Sequence, residues 1–213
     1  MQISSHTFKK PKVMDIHMIA ASLPAIAFIF AGLFSPGPNV VMLTASGARF
    51  GFKRTLPHLL GVPIGTGFIA AFSALGVGTL LLAFPTLKIV LQIIAALWIL
   101  RLAWKTAQAG RAGKAEDRGA PFTFFQAISF QLINPKVWAV TLSTAALFGI
   151  GLSPTQEAIR LFTLFSCLNL SVCLFWAAAG HLMARVLQSD QNWRMFMYVM
   201  AALMASTVLL IFL

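Results

Sequence analysis

Two short runs place helix breakers beside polar groups in otherwise apolar sequence. One is Ser35-Pro36-Gly37-Pro38-Asn39 and the other is Asn134-Pro135-Lys136. Proline removes a backbone donor and clashes with the preceding turn, so a helix must break or kink at both places. In hydrocarbon, the freed amides and carbonyls are tolerated only where protein or a watery cavity satisfies them. Asn39 and Asn134 bring side-chain donors and acceptors. On a helix, Gln126 and Gln131 lie within two turns of Asn134 and can reach the same space. Lys136 is the clearest intramembrane charge, costing about 2.5–3.5 kcal/mol at a helix centre. Either it is a counter-charge for a substrate carboxylate, or it snorkels or pairs with the carbonyls exposed after Pro135. Ordinary proline kinks in a bundle are the plainer reading of both runs. Two breaks at matching places in two halves point instead to a transporter that holds its substrate between them.

The elements that carry these runs follow from composition. Of 213 residues, 59% are hydrophobic and 10% charged, against about 25% charged in an average soluble domain. This excludes disorder, a secreted disulfide scaffold and an ordinary cytosolic enzyme, and defines an all-α integral membrane protein. Charge-poor runs give six expected spans: Ile16–Phe34, Leu59–Phe84, Pro85–Trp104, Phe122–Ile150, Leu161–Gly180 and Met195–Leu213. They are continuous, where strands of a β-barrel would alternate. The first is too long, and lacks the cleavage site, for a removable signal peptide. Met14 is a candidate start, because Met14-Asp15 leads straight into it. The polar stretch 105–121 divides the chain into repeat A (15–104) and repeat B (122–213). Three spans is an odd number, so the second repeat is expected to be inverted, with helices 1 and 4 broken. Sliding by 99 residues sets Pro36 over Pro135 and Thr44 over Ser143, with Ile29, Leu33, Val41 and Leu43 over apolar partners.

The 16 Lys+Arg outnumber 5 Asp+Glu, and they sit between apolar stretches, as loops facing an anionic leaflet do. No basic–aromatic platform for nucleic acid accompanies them. The connections after spans one, three and five hold Arg49, Lys53, Arg54, Arg101, Lys105, Arg111, Lys114, Arg118, Arg185 and Arg194. That side is expected to be cytoplasmic, with loops at 44–57, 105–121 and 182–194 and both termini outside, although Lys9, Lys10 and Lys12 oppose it. Reporter fusions at Gly113 and at the C-terminus should therefore give opposite signals; matching signals would overturn both the orientation and the inverted repeat.

Ser35-Pro36-Gly37-Pro38-Asn39, followed by Gly51 and a basic pair before a Gly-rich second span, resembles the LysE/RhtB family of amino-acid exporters. So does Phe125-Gln126, leading through Phe130-Gln131 to Asn134-Pro135-Lys136. The resemblance runs from Met14 to the end of the chain. Ala103-Trp104-Lys105, Phe130-Gln131 and Ala179-Gly180-His181 look most like the branch that exports cysteine and O-acetylserine. It implies efflux of small amino acids across the bacterial inner membrane, driven by the proton gradient, with no cofactor and no enzymatic step. For such a zwitterion, freed amides near the breaks and a half-helix N-terminus can receive the carboxylate. Exposed carbonyls, with Gln126 or Gln131, are left for the ammonium. None of the five acidic residues is mid-span, which argues against a dedicated Lys or Arg exporter and against metal cations.

Other residues carry weaker signals. His58 and His181 are the candidates for proton coupling, set against hydrogen-bonded edge histidines. Cys167 and Cys173 face different ways on one helix, are too far apart to bridge, suggest no metal site, and read as lipid- or helix-facing apolar residues. Trp98, Trp104, Trp176, Trp193 and Tyr198 read as interfacial or packing aromatics. Gly61, Gly65 and Gly67 suit close helix packing, or equally a helix that slides during transport. Two other function classes compete. An intramembrane serine protease would use Ser46 with His181 or His58, but lacks a Gly-x-Ser-x-Gly. A membrane-embedded substrate-binding subunit would need a partner surface that sequence does not display. The expected partners are a small amino acid and the lipid bilayer, with a homo-oligomer left open.

Overall fold

A computed structural model of the chain describes residues 16–77, 85–109, 119–187 and 189–209. Among them it has eight helices: α1 (Ile16–Phe34), α2 (Pro38–Phe50), α3 (Phe52–Ala74), α4 (Pro85–Ala107), α5 (Phe124–Ile133), α6 (Pro135–Leu147), α7 (Pro154–Val186) and α8 (Asp190–Ser206). α3 and α7 are long and apolar enough to cross a membrane, and α1 with α2 would make a third span bent by 56°. Many large apolar side chains point outward. On α4, Ile93, Leu97 and Trp104 are exposed, while the inward face is Ala95, Ala96, Ile99 and Ala103. That pattern suits helices whose solvent is lipid and whose contacts are made by small residues.

Both expected breaks are present. α1 ends at Phe34 and α2 starts with Pro38 at its first turn; α5 ends at Ile133 and α6 starts with Pro135. Proline is suited to a first helical position, where its missing N–H has no partner to lose.

Several boundaries differ from expectation. The stretch 44–57, read as a loop, is helical except at Gly51: α2 runs through Arg49 to Phe50, and α3 starts at Phe52 and continues through Pro57 and Pro63. Gly51 joins the two helices alone, with φ of 81°, a conformation that only glycine takes cheaply. Similarly, α7 begins seven residues before Leu161. Glu157 and Arg160 ended the charge-poor run, but they pair with each other on the first turns of α7, and Arg160 also donates to the Phe148 carbonyl (2.8 Å). α8 starts at Asp190 rather than Met195. The N-terminal lysines, residues 78–84 of the expected second span and the cluster from Arg111 to Arg118 lie outside the described residues.

α3 packs antiparallel to α7, since Leu59 shares a core with Cys173 and Ala177, while Ala70 meets Leu161 and Phe165. Glycines set the closest approaches. A Cβ on Gly61 would strike the Phe124 carbonyl, and one on Gly65 would strike Ile128. Likewise Gly47 faces the Ala177 carbonyl, and Gly180 the Thr44 carbonyl. α2 and α7 are thus seamed by two glycines, each pressed against the other helix's backbone.

Candidate functional site between the breaks

The two breaks meet. The Lys136 ammonium donates to the Ser35 carbonyl and, at 3.4 Å, to that of Pro36. Both carbonyls were freed where α1 ended. The Lys136 stem lies against Gly37, where a Cβ would come within 2.7 Å of Lys136 Cδ. One turn on, Asn39 Nδ2 donates to Gln131 Oε1 (2.8 Å), and Gln131 Nε2 donates to Asn39 Oδ1 (3.3 Å) and to the Ala127 carbonyl (2.8 Å). This reciprocal amide pair ties the halves together at a fully buried Gln131. The second break closes its own backbone: Trp138 Nε1 donates to the Leu132 carbonyl (2.9 Å).

A cavity of about 20 Å³ lies beside these contacts, with Gly37, Asn39, Asn134 and Lys136 on one side and Asn169, Cys173 and Trp176 of α7 on the other. That is room for about one water molecule, so a larger solute enters only if the breaks part. Two buried polar atoms on this wall lack a protein partner: Asn134 Oδ1 and Trp176 Nε1. One is an acceptor and the other a donor. Asn169 is held in place, donating to Thr66 Oγ1 at 2.9 Å.

Not every expected residue reaches the cavity. Gln126 is exposed and completes a capping box with Thr123, so it is occupied in starting α5. The Ser35 hydroxyl turns back onto the Gly32 carbonyl at 3.0 Å. Pro36 is exposed, whereas Pro38 and Pro135 serve as helix starts. Neither histidine lines the cavity. His58 is 2% exposed, against Phe122, and His181 Nε2 sits 3.2 Å from Arg185. Ser46, the protease alternative's nucleophile, pairs with Thr55 Oγ1 (3.0 Å). Asn169, Cys173 and Trp176 were missed as lining residues. The signal for Asn169 was available, because it is the only carboxamide in the fifth apolar run.

The Asn39–Gln131 pair gives a direct test. Each alanine replacement strands the other buried amide, costing about 1–3 kcal/mol. Unfolding in detergent should therefore show the Asn39→Ala, Gln131→Ala double change costing less than the sum of its parts. Strict additivity would mean that the pair contributes nothing.

Broken helices packed with small-residue seams around a cavity that holds a few polar groups suit a membrane translocator. The LysE type translocator model matches residues 30–211, and the chain belongs to that family. It is similar to the cysteine/O-acetylserine efflux protein of Escherichia coli (strain K12), 26% identical over 184 residues, or 84% of this chain and 90% of the relative. The protein of that name from Klebsiella pneumoniae subsp. pneumoniae is 28% identical over 155 residues, covering 71% and 78%. That from Salmonella typhimurium (strain LT2) is 26% identical, covering 71% and 77%. No solved structure matches the chain.

Proposed function

We propose that this protein is a secondary exporter of small neutral amino acids or close derivatives, acting across the bacterial inner membrane and driven by the proton gradient. The observation that carries the reading is the Lys136 ammonium seated on the Ser35 and Pro36 carbonyls. A cation of one half satisfies backbone exposed by the break of the other. A substrate carboxylate competes for that ammonium, and the freed carbonyls then become acceptors for the substrate ammonium. Asn134 Oδ1 and the Trp176 indole N–H supply a further acceptor and donor. Among the described residues no carboxylate lines the cavity, which suits a net-neutral zwitterion, and the names of the relatives point the same way.

Six spans in two inverted repeats remain part of this proposal, and contacts at the breaks support it. Sliding by 99 residues carries Gly32 onto Gln131 and Val140 onto Val41. Gly32 packs against Val140, and Gln131 bonds Asn39, two residues from Val41. An inverted pair crossing at its breaks generates such exchanged contacts. The orientation with periplasmic termini belongs to the same reading.

Cells overproducing the protein should tolerate toxic levels of a small amino acid and accumulate it in the medium. Asn39→Ala should abolish this without loss of the protein from the membrane. If no amino acid or analogue appears outside in excess, the exporter reading fails and a substrate-binding subunit takes its place.

A further inference from the structure

Most polar side chains on the wall of the small cavity are already engaged by protein. Lys136 is seated on the Ser35 and Pro36 carbonyls, and Asn39 is paired with Gln131. Asn169 donates to Thr66 and accepts from Cys173 Sγ at 3.6 Å. Two atoms are left over, the Asn134 side-chain oxygen and the Trp176 indole N–H. Asn134 stands at the N-cap of α6, where an asparagine oxygen ordinarily accepts from the first turn. Here it makes no such bond, although the residue is 1% exposed. A buried acceptor left bare in this way is uncommon and calls for a partner.

Trp176 is fixed in place beside it. Its ring packs on Phe34 (centroids 5.3 Å apart) and on Phe175 (5.4 Å), and Phe34 directly precedes the break at Ser35. Ala177, the next residue, is pressed against Gly47 of α2. One acceptor and one donor thus face a space for about one water. They make a socket for a group that both donates and accepts. A hydroxyl has that size and both functions; a methyl has the size and neither. We infer that Asn134 and Trp176 select the substrate's side chain, favouring a small one that carries a hydroxyl or another donor–acceptor group. Lys136 and the break carbonyls would read the zwitterion that all amino acids share. The inference rests on the export reading for that zwitterion, and on the two unpaired atoms for the selection. A hydroxyl that displaces water from the socket restores both bonds, whereas an apolar side chain leaves two buried groups unpaired.

The test compares L-threonine with L-valine, which exchange a hydroxyl for a methyl at equal shape, and then L-serine with L-alanine. Binding to the full chain, purified in detergent, is read from the rise of the unfolding midpoint with ligand concentration. Threonine should reach half its effect at a concentration roughly ten-fold or more below valine, and serine likewise below alanine. Trp176→Phe removes the N–H and keeps a ring against Phe34, while Asn134→Ala removes the oxygen, so one suffices if the other fails to fold. In either variant both ratios should fall toward one. A variant with a merely structural defect would weaken all four ligands alike and keep the ratios. Ratios near one in the unaltered protein, ratios kept in both variants, or no rise with any of the four would overturn the selection. Cellular efflux without discrimination in binding would refute the selection and leave the exporter reading standing. Discrimination without efflux would sink the exporter reading alone.

Discussion

Lys136→Met is expected to slow amino-acid efflux roughly 10- to 150-fold while leaving the amount of protein in the membrane unchanged. Hydrogen bonds to a charged group contribute about 1.5–3 kcal/mol, and each 1.4 kcal/mol is about a tenfold change. The ammonium is the group the substrate carboxylate would meet, so that loss falls on flux. Folding is spared for two reasons. Methionine keeps an unbranched stem against Gly37 and adapts to irregular gaps. Lys136 lines a cavity with room for about one water, which can replace the amine beside the Ser35 and Pro36 carbonyls. Efflux from proteoliposomes, normalised to protein by immunoblot, separates the two effects. Unchanged flux would mean that Lys136 only closes backbone; vanished protein would mean that it only holds the fold.

Gly180→Val should have the largest effect on stability. A Cβ there would penetrate the Thr44 carbonyl, and neither backbone can yield without separating α2 from α7. Overpacking typically costs about 1–3 kcal/mol, and a collision with main chain lies at the upper end, near 3 kcal/mol. Gly149→Ala is the matched control, because its nearest atom would be 3.8 Å away and the expected change is within about 0.5 kcal/mol. Thermal unfolding in detergent should show a clear drop in midpoint for the first and little for the second. Equal midpoints would remove the glycine seam from any account of the fold.

The breaks were legible because Pro36-Gly37-Pro38 and Asn134-Pro135 set proline beside glycine, a second proline or an amide; proline alone was no guide, since α3 continues through Pro57 and Pro63. Lys136 was legible because a charge in that setting needs a partner, though sequence left open whether substrate or carbonyl supplied it. Helix ends were harder. Charge marks where a span leaves lipid, not where a helix stops, so Glu157 and Arg160 hid the first two turns of α7, and Arg49 hid the end of α2. Thr123-Phe124-Phe125-Gln126 carries a capping-box spacing, and so does Ser153-Pro154-Thr155-Gln156. Reading them would have removed Gln126 from the site and placed the start of α7. Trp176 could not be assigned from type alone, since a tryptophan suits an interface, a core or a cavity wall equally. Only packing of α7 against the breaks decides among these.

The thirteen-residue α2 is a rigid strut about 20 Å long, bounded by a break at Gly37 and a one-residue joint at Gly51. One end touches the small cavity and the other a larger one, whose described lining includes Ser46 and Lys105. Gly51 is the natural pivot for a tilt that withdraws Asn39 from Gln131, and Arg49 lies two residues from it. Held at Gly47 against the Ala177 carbonyl and at the Gly51 joint, a tilting strut moves most at its Asn39 end.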